Sequence, residues 1–499
     1  MKHSIGSLRF SLDETGAPLY LQLMQQIQQG IRQGELEVSD KLPSSRSLAS
    51  ALGVSRSTTT RAYEQLIAEG WLLSEEKRGV FVAAYQAKGQ LTGQQLVSKE
   101  IVSCHESPEE EQTLYAFDAG VDVSVFPSKE WAASMRRSWL QPDDKVMRGE
   151  YLTGFPPLKK ALVNYLYRLR GLECCAEQII ITAGNRDSLQ LLDHALSKTT
   201  QNQLKWWLEE ITYPPISEAL NKQVSLGHIE LDSEGPRLPN MSNLCDTNAD
   251  KQHAFIMTPN RQYPLGTSIS SQRRQQWIKA LDSNTSTMWL IEDDYDNEFI
   301  YQGRAEVPLM QTARSCKEAC RNIFYVGSFS KVLFRGLRLG FIVAPLERVA
   351  LIKQSQKQIG ISASLPMQPV VADFLIQGNF ERHLNRMRRH YRLKRDMLLS
   401  LLNDYLSPWF YWKKPRGGLH VLIECKPECL ALVNNSDIFD RQFCQRLRQD
   451  NVILSPLSMH YSDGNKSRQG FVLGFSGLQE AQMQHILSKM KAVLQAWSK

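Results

Sequence analysis

The sequence predicts an α/β protein with a mainly parallel β-sheet, covered by helices on both faces and preceded by a small helical unit. After residue 150, helical patterns alternate with six short apolar runs: IIIT, LKWWLEE, HAFIMT, MWLIED, IFYVGSF and LGFIVA. Continuous apolar strands between helices are typical of a parallel sheet buried on both faces. At 499 residues the chain is long enough for two or three domains.

Composition restricts the class of protein. With 42% hydrophobic and 22% charged residues, the chain is typical of a soluble globular protein. No window approaches the roughly 20 apolar residues of a membrane span, and the first residues lack the apolar run of a signal peptide. We therefore expect a cytoplasmic protein without a membrane partner. The nine cysteines lack the spacing of a zinc site, so no metal site is predicted.

The first 85 residues predict a winged helix-turn-helix. Leucines and isoleucines four residues apart form the apolar stripe of a first helix, at Leu19, Leu23, Ile27 and Ile31. Two shorter helices follow around a tight turn; Ser44 or Ser45 caps the first, Gly53 ends it, and Ser55 caps the second. The segment GWLLSEEKRGVFV then predicts two strands around a charged tip, which is the wing.

The second short helix begins with RSTTTR, a poor choice for an isolated helix but a suitable one for contacts with phosphates and base edges. The motifs LPSSR (42–46), SRST (55–58) and Gly79 resemble the GntR family of bacterial repressors. This resemblance implies a double-stranded DNA operator as partner, with candidate contacts at Arg46, Ser55, Arg56, Thr58, Thr59, Arg61, Lys77 and Arg78. The prediction of DNA binding rests on these motifs and not on charge, because residues 1–85 have nine basic and nine acidic side chains and therefore no net charge.

Polar and charged residues follow the apolar runs of the large unit. In a parallel sheet, ligand groups cluster at the carboxyl ends of the strands. The first of these ends is a glycine turn that suits a phosphate, formed by Gly184, Asn185 and Arg186. The next two ends carry Tyr213 and Tyr263. The fourth is the acidic run EDDYD with Asp293 and Tyr295, and the fifth is SFSK with Ser328, Ser330 and Lys331, followed by Arg338. The acidic run alone has two interpretations, a helix cap or a cation site.

Lys331 requires an explanation, because a lysine in an apolar, glycine-rich segment is costly unless it is paired, neutralised or used covalently. Together the strand ends predict a pyridoxal 5′-phosphate pocket. Lys331 forms a Schiff base, Asp293 keeps the pyridine nitrogen protonated, Tyr295 donates to the phenolate oxygen and Tyr213 stacks on the ring. The phosphate is assigned to Gly184, Asn185, Ser328, Ser330 and Arg338.

The motifs EDDYD, SFSK…GLR, GFPPLKKAL, GGLH and LGFSGL resemble fold-type I aminotransferases, and with the GntR-like head the whole chain resembles the MocR/GabR regulators. The resemblance implies a small C-terminal α+β subdomain and a homodimer in which Tyr151 reaches the partner's cofactor phosphate. Two departures favour a sensor over an efficient transaminase: Tyr263-Pro264-Leu265-Gly266 replaces Asn-Pro-Thr-Gly, and Val472 replaces a carboxylate-binding arginine, with Arg468 four residues earlier.

The leading hypothesis is a regulator that senses pyridoxal phosphate or an amine or amino acid effector. The alternatives are an aminotransferase with a vestigial head and a constitutive DNA-binding protein. The expected domains are a DNA-binding head (1–85), a polar linker (86–113) and an aminotransferase-like sensor (114–499). The basic run ERHLNRMRRHYRLKRD is either a solvated helix face or a further DNA-backbone patch that includes Arg382, Arg386 and Arg389.

Overall fold

A computed structural model describes residues 2–5, 8–13, 17–84, 114–117, 120–199, 204–220, 225–240, 252–283, 288–296, 298–316, 318–360, 363–433, 436–462 and 468–498. The chain divides into two compact units, residues 1–109 and 110–499. The predicted linker, 86–113, lies outside the described residues. No helix in the described part of the chain is both long and apolar enough to cross a membrane.

The N-terminal unit contains three helices and a three-stranded antiparallel sheet. Its elements are a hairpin of β1 (Lys2–Ile5) and β2 (Leu8–Ser11), then α1 (Leu19–Arg32), β3 (Lys41–Leu42), α2 (Ser45–Leu52), α3 (Arg56–Ala68), β4 (Leu72–Glu75) and β5 (Gly79–Val82). Leu23 and Ile27 of the predicted stripe are fully buried and pack with α2 and α3. This order of elements is the predicted winged helix-turn-helix.

Serine caps fix the two helices of the helix-turn-helix. The Ser44 hydroxyl accepts a hydrogen bond from the Ser47 N–H at 3.1 Å, so Ser44 rather than Ser45 caps α2. Gly53 ends α2 with a φ of 68°, in the left-handed region that favours glycine. The Ser55 hydroxyl accepts from the Thr58 N–H at 3.1 Å and caps α3. The Thr59 hydroxyl donates to the Ser45 carbonyl at 2.8 Å and ties α3 to α2.

The large unit is built on a seven-stranded mixed sheet, which confirms the predicted α/β class. In spatial order its strands are β7 (Ile179–Thr182), β15 (Gly340–Val343), β14 (Ile323–Ser328), β13 (Met288–Asp294), β12 (Gln252–Met257), β8 (Leu204–Glu209) and β9 (Ser225–Ile229). The pairs from β14 to β9 are parallel, and only the two pairs made by β15 are antiparallel. Each of the six predicted apolar runs supplies one of these strands, and the sheet is covered by helices.

The helices of the large unit are α4 (Ser128–Leu140), α5 (Asp144–Arg148), α6 (Pro156–Arg170), α7 (Asn185–Thr199), α8 (Pro214–Ala219), α9 (Ser271–Ser283), α10 (Leu309–Thr312), α11 (Leu346–Ile359), α12 (Gln368–Ile376), α13 (Asn379–Leu406), α14 (Pro427–Leu430), α15 (Phe439–Arg448) and α16 (Glu480–Trp497). A smaller antiparallel sheet follows α13 and forms the α+β part of this unit; its strands are β16 (Phe410–Trp412), β17 (His420–Cys425), β20 (Gly470–Gly474) and β19 (Ser455–Pro456). Short pairs join β10 (Leu231–Asp232) to β11 (Gly235–Pro236) and β6 (Tyr115–Ala116) to β18 (Val452–Ile453).

Candidate cofactor site and DNA-binding surface

A cavity of about 470 Å³ opens at the strand ends of the large unit, and its volume is typical of a small-molecule site. Ten of the twelve residues predicted for the cofactor line it: Lys331, Asp293, Tyr295, Tyr213, Tyr263, Asn185, Arg186, Ser328, Ser330 and Arg338. The side chains come from segments up to 153 residues apart in sequence, from Asn185 to Arg338, so the sheet topology brings them together.

Only one carboxylate of the acidic run lines the cavity. Successive side chains of β13 alternate between the two faces of the sheet, so Glu292 and Asp294 point away from Asp293. Asp294 accepts a hydrogen bond from the buried Arg170 guanidinium at 2.6 Å, and Glu292 accepts from the main-chain N–H groups of α10. Asp293 alone lines the cavity, where it accepts from the Asn185 amide at 2.6 Å.

The environment of Asp293 disfavours its charge. Burial, together with the nearby carboxylates of Asp294, Glu209 and Asp296, raises the pKa of Asp293 to about 8. A cationic ring nitrogen placed against this carboxyl would reverse the effect, because an opposite charge favours the ionised form. The site therefore suits a ligand that brings a proton to Asp293.

We predict that Asp293→Asn stabilises the cofactor-free protein while it weakens cofactor binding. The folded-state pKa lies above the ordinary value of an aspartate, so this carboxyl costs stability as the pH rises from about 4 through about 8. An amide removes that cost, which is largest above about pH 8, but it forfeits a charge-assisted hydrogen bond to the cofactor, so cofactor affinity falls about ten- to hundredfold. Unfolding curves and cofactor titrations measure the two effects.

Asp294→Asn is the matched control for this prediction. The same change one residue away leaves the buried Arg170 without its partner and should destabilise the protein by about 3–5 kcal/mol. If Asp293→Asn destabilised the cofactor-free protein as Asp294→Asn does, the assignment of Asp293 to the cofactor would be wrong.

Two buried polar atoms at the cavity have no hydrogen-bond partner among the described residues, namely the Tyr295 hydroxyl and the Asn185 side-chain oxygen. Buried polar atoms are nearly always paired in folded proteins, so these two are positions where a ligand could supply the partner. Together with the protonatable Asp293 and the amine of Lys331 they fit pyridoxal 5′-phosphate, which carries a ring nitrogen, a phenolic oxygen and an aldehyde.

The segment after β14 forms one end of the cavity. Ser328, Ser330 and Arg338 line the cavity, and the Ser330 N–H is turned toward the Ser328 hydroxyl at 3.1 Å. The main chain of Gly184, with a φ of 110°, packs against Gly340 so closely that a Cβ on Gly340 would lie 2.8 Å from the Gly184 Cα. This contact brings the N-terminus of α7 beside the serines, where its N–H groups favour an anion.

Aromatic rings form the opposite wall. The Tyr263 ring meets the edges of Tyr213 and Tyr295, with centroids 5.3 and 5.7 Å away. Behind Tyr263 lies His420, whose pKa is lowered by burial and by the nearby charges of Arg261 and Lys331. Tyr213 is 47% exposed, so its ring is available to a ligand at the cavity mouth.

Three residues discussed from the sequence lie outside the cavity lining. Gly184 contributes main chain, as described, and Tyr151 donates its hydroxyl to Asp143 at 3.2 Å. Arg468 donates to Glu424 at 2.7 Å, while Val472 lines the cavity with an apolar surface. The sequence analysis missed Phe117, Thr258 and Arg335, which also line the cavity. Thr258 follows β12, so its place at a strand end was the available signal.

The N-terminal unit presents most of the predicted DNA contacts at its surface. Arg46, Ser55, Arg56, Lys77 and Arg78 are exposed, and Thr58 is half-buried. Arg61 is exposed but lies over the Tyr20 ring, 4.1 Å from its centroid, and Arg78 pairs with Glu75 at 2.5 Å. Thr59 is fully buried between α2 and α3, so the structure does not place it on this surface.

Each of the two units matches a known protein family. Residues 19–82 match the bacterial regulatory proteins of the gntR family, and residues 119–490, most of the chain, match aminotransferase class I and II. The chain belongs to the aminotransferase class I and II family. Its gntR-type head makes it a regulator of the MocR type, as the sequence motifs predicted.

Relatives of this MocR-type regulator are similar along nearly their whole length. The uncharacterized HTH-type transcriptional regulator YdeL of Bacillus subtilis is 29% identical over 96% of this chain and 97% of its own. The probable rhizopine catabolism regulatory protein MocR of Rhizobium meliloti is 27% identical, over 97% and 95%. The pyridoxine biosynthesis transcriptional regulator PdxR of Corynebacterium glutamicum is 29% identical, over 94% of each. The chain is an HTH-type transcriptional regulator.

Solved aminotransferases share the fold of the large unit. An archaeal alanine:glyoxylate aminotransferase superposes with a TM-score of 0.67 at 22% identity, covering 78% of this chain and 92% of its own. The α-aminoadipate aminotransferase LysN of Thermus thermophilus, solved with N-(5′-phosphopyridoxyl)-L-leucine, gives 0.62 at 21% identity, covering 77% and 93%. The regulator therefore has the fold of the fold-type I aminotransferases, a fold that implies dependence on pyridoxal phosphate.

Proposed function

We propose that this regulator holds pyridoxal 5′-phosphate in the cavity of its large unit and uses it to sense an amine or amino acid. The observation that carries the proposal is the convergence of Lys331, Asp293 and the Tyr295 hydroxyl on one cavity, where this hydroxyl has no partner within the described segments. The cofactor supplies an aldehyde that condenses with primary amines, and a sensor needs only that step.

Each cavity residue then has a defined task. With the cofactor bound, Lys331 would hold its aldehyde, Asp293 would keep a proton on the ring nitrogen, and Tyr295 would donate to the phenolic oxygen. Tyr213 and Tyr263 cover the ring. The phosphate is assigned to the hydroxyls of Ser328 and Ser330, the Arg338 guanidinium, Arg186, and the main chain of Gly184 and Asn185 at the start of α7.

We assign operator contact to the exposed face at the start of α3 and to the wing. Arg56 and the hydroxyls of Ser55 and Thr58 lie at the first turn of α3, where a recognition helix reads base edges. Arg46, Arg61, Lys77 and Arg78 surround that turn in sequence or in the wing and suit phosphate contacts. In this proposal residues 1–85 form the head, 86–113 the linker and 114–499 the sensor.

The protein acts as a homodimer in this proposal. Helices α4 and α5 expose several large apolar side chains, namely Met135, Trp139, Leu140 and Met147. Tyr151, which follows α5, lies outside its own cavity lining and is assigned to the partner's cofactor phosphate. Two heads on one dimer then read paired half-sites, and each head strengthens the binding of the other.

One experiment tests the sensor against the alternative of a transaminase with a vestigial head. The absorbance of purified protein is followed while a panel of amines and amino acids is added, and operator affinity is measured in parallel with DNA that the full-length protein selects from a random pool. We expect a spectral change with one class of amine and a shift of operator affinity of about 5–150-fold. Sustained turnover with a keto acid, without any change in DNA affinity, would refute the proposal.

A further inference from the structure

The positive charge of the protein lies outside the head that reads DNA. Residues 1–85 contain nine basic and nine acidic side chains, so the net charge of +7 belongs entirely to residues 86–499. DNA carries one negative charge per roughly 1.7 Å of its axis, and protein–DNA affinity depends largely on its neutralisation. This distribution directs attention to the basic surfaces of the large unit.

One face of α13 concentrates exposed arginines. Arg382, Arg386, Arg389 and Arg392 are all exposed and follow one another at intervals of four, three and three residues. Such spacing places them on one side of a helix along about 15 Å, while Leu384, Met387 and Tyr391 on the opposite side are buried. We call these four arginines the α13 face.

The other three basic residues of the segment ERHLNRMRRHYRLKRD make contacts within the large unit. Arg388 donates to the Glu298 carbonyl at 2.6 Å, Lys394 pairs with the buried Asp122 at 2.6 Å, and Arg395 pairs with Asp396 at 2.7 Å. The sequence could not separate these three from the α13 face, because their partners lie elsewhere in the chain or are shared with other cations.

The charge of the α13 face is not compensated by carboxylates in the described part of the chain. Arg382 and Arg386 donate to main-chain carbonyls, those of Gln377 and Val125, at 3.0 and 3.2 Å, and these bonds leave the positive charge in place. The two acids of the same helix that lie nearest to these arginines in sequence are already used, since Glu381 pairs with Arg168 and Asp396 with Arg395 and Lys414.

We propose that the α13 face is a second DNA-contact surface that binds the phosphate backbone beyond the bases read by the head. Arginine donates two parallel hydrogen bonds to phosphate, and a row of such side chains binds without sequence preference. The large unit thereby contributes directly to affinity, in addition to carrying the sensor.

The test compares wild-type full-length protein with Arg386→Gln/Arg389→Gln on random-sequence duplexes of about 20 and about 60 base pairs, the shorter being about as long as two adjacent half-sites of an operator. Affinity is measured as a function of salt. On the longer duplex we expect the slope of log K against log salt to fall by about 0.9 for each lost phosphate contact, or about 1.8 for the pair. The cofactor spectrum and its response to amines should not change, which separates this result from a failure of the sensor.

The matched control is Arg304→Gln/Arg448→Gln, which removes the same charge from exposed positions of the large unit outside the α13 face. Its slope should equal that of wild type. An equal loss in both variants would overturn the proposal, because total charge and not this face would be responsible. An unchanged slope in the variant Arg386→Gln/Arg389→Gln would also overturn the proposal. The partner of the α13 face would then be an acidic protein surface rather than DNA.

Discussion

Replacement of Lys331 by alanine should abolish the absorbance of the bound cofactor near the visible edge and leave the protein folded. Among the residues that the structure describes, Lys331 is the only lysine that lines the cavity, and only an amine there can hold the aldehyde covalently. The side chain is half-buried at the end of β14, so its truncation removes little packing. The measurement is an absorbance spectrum after dialysis, together with an unfolding curve and the oligomeric state.

Lys159→Ala is the control for this prediction. Lys159 is a mostly buried lysine whose pKa is lowered by burial, but it donates to the Thr153 hydroxyl and does not line the cavity. This variant should keep the full absorbance. Borohydride reduction followed by peptide mapping should label Lys331 in wild type and in Lys159→Ala. A reducible cofactor adduct that persists in Lys331→Ala would contradict the assignment.

The cavity was predictable because its residues sit at strand ends, and strand ends are visible in a sequence. Apolar runs of four to seven residues located six of the seven strands of the large sheet, and β9 was not predicted. The topology of a mainly parallel sheet gathers the residues at the carboxyl ends of its strands along one edge. The alternation of side chains along β13 also explains why Asp293 and not Glu292 or Asp294 lines the cavity. Most residues of the cavity could therefore be predicted from the local pattern of apolar and polar residues.

Contacts between segments that are distant in the chain could not be predicted from the sequence. Thr59 reads as an exposed hydroxyl in RSTTTR, yet its side chain is buried because α2 packs over it. Lys394 reads as part of a basic face, yet it pairs with Asp122, which precedes it by 272 residues. Arg468 stands close in sequence to the cavity residue Val472, yet it binds Glu424 on the neighbouring strand. Each outcome depends on a partner that no local pattern specifies.

Replacement of Arg56 by alanine should remove operator binding and spare the cofactor spectrum. Arg56 is exposed at the first turn of α3, and the Ser55 cap that sets this turn does not depend on the Arg56 side chain. Loss of an arginine that reads a base costs about 1–3 kcal/mol. A dimer loses it twice, so we expect about 2–6 kcal/mol, or roughly a thirty- to ten-thousandfold loss of affinity. The measurement is a titration of the selected operator at fixed salt.

Arg32→Ala controls for the loss of one positive charge in the same unit. Arg32 ends α1 and lies over the Trp71 ring, 5.1 Å from its centroid, away from the first turn of α3 in the sequence and in the fold. Its removal should change operator affinity by less than about threefold, because a single exposed charge contributes little when it makes no specific contact. The two variants should also differ in specificity, since a base contact discriminates between operator and random DNA and a diffuse charge does not. If Arg56→Ala weakened the binding of both DNAs equally, Arg56 would contact phosphate rather than bases, and the recognition surface would have to be sought elsewhere on the head.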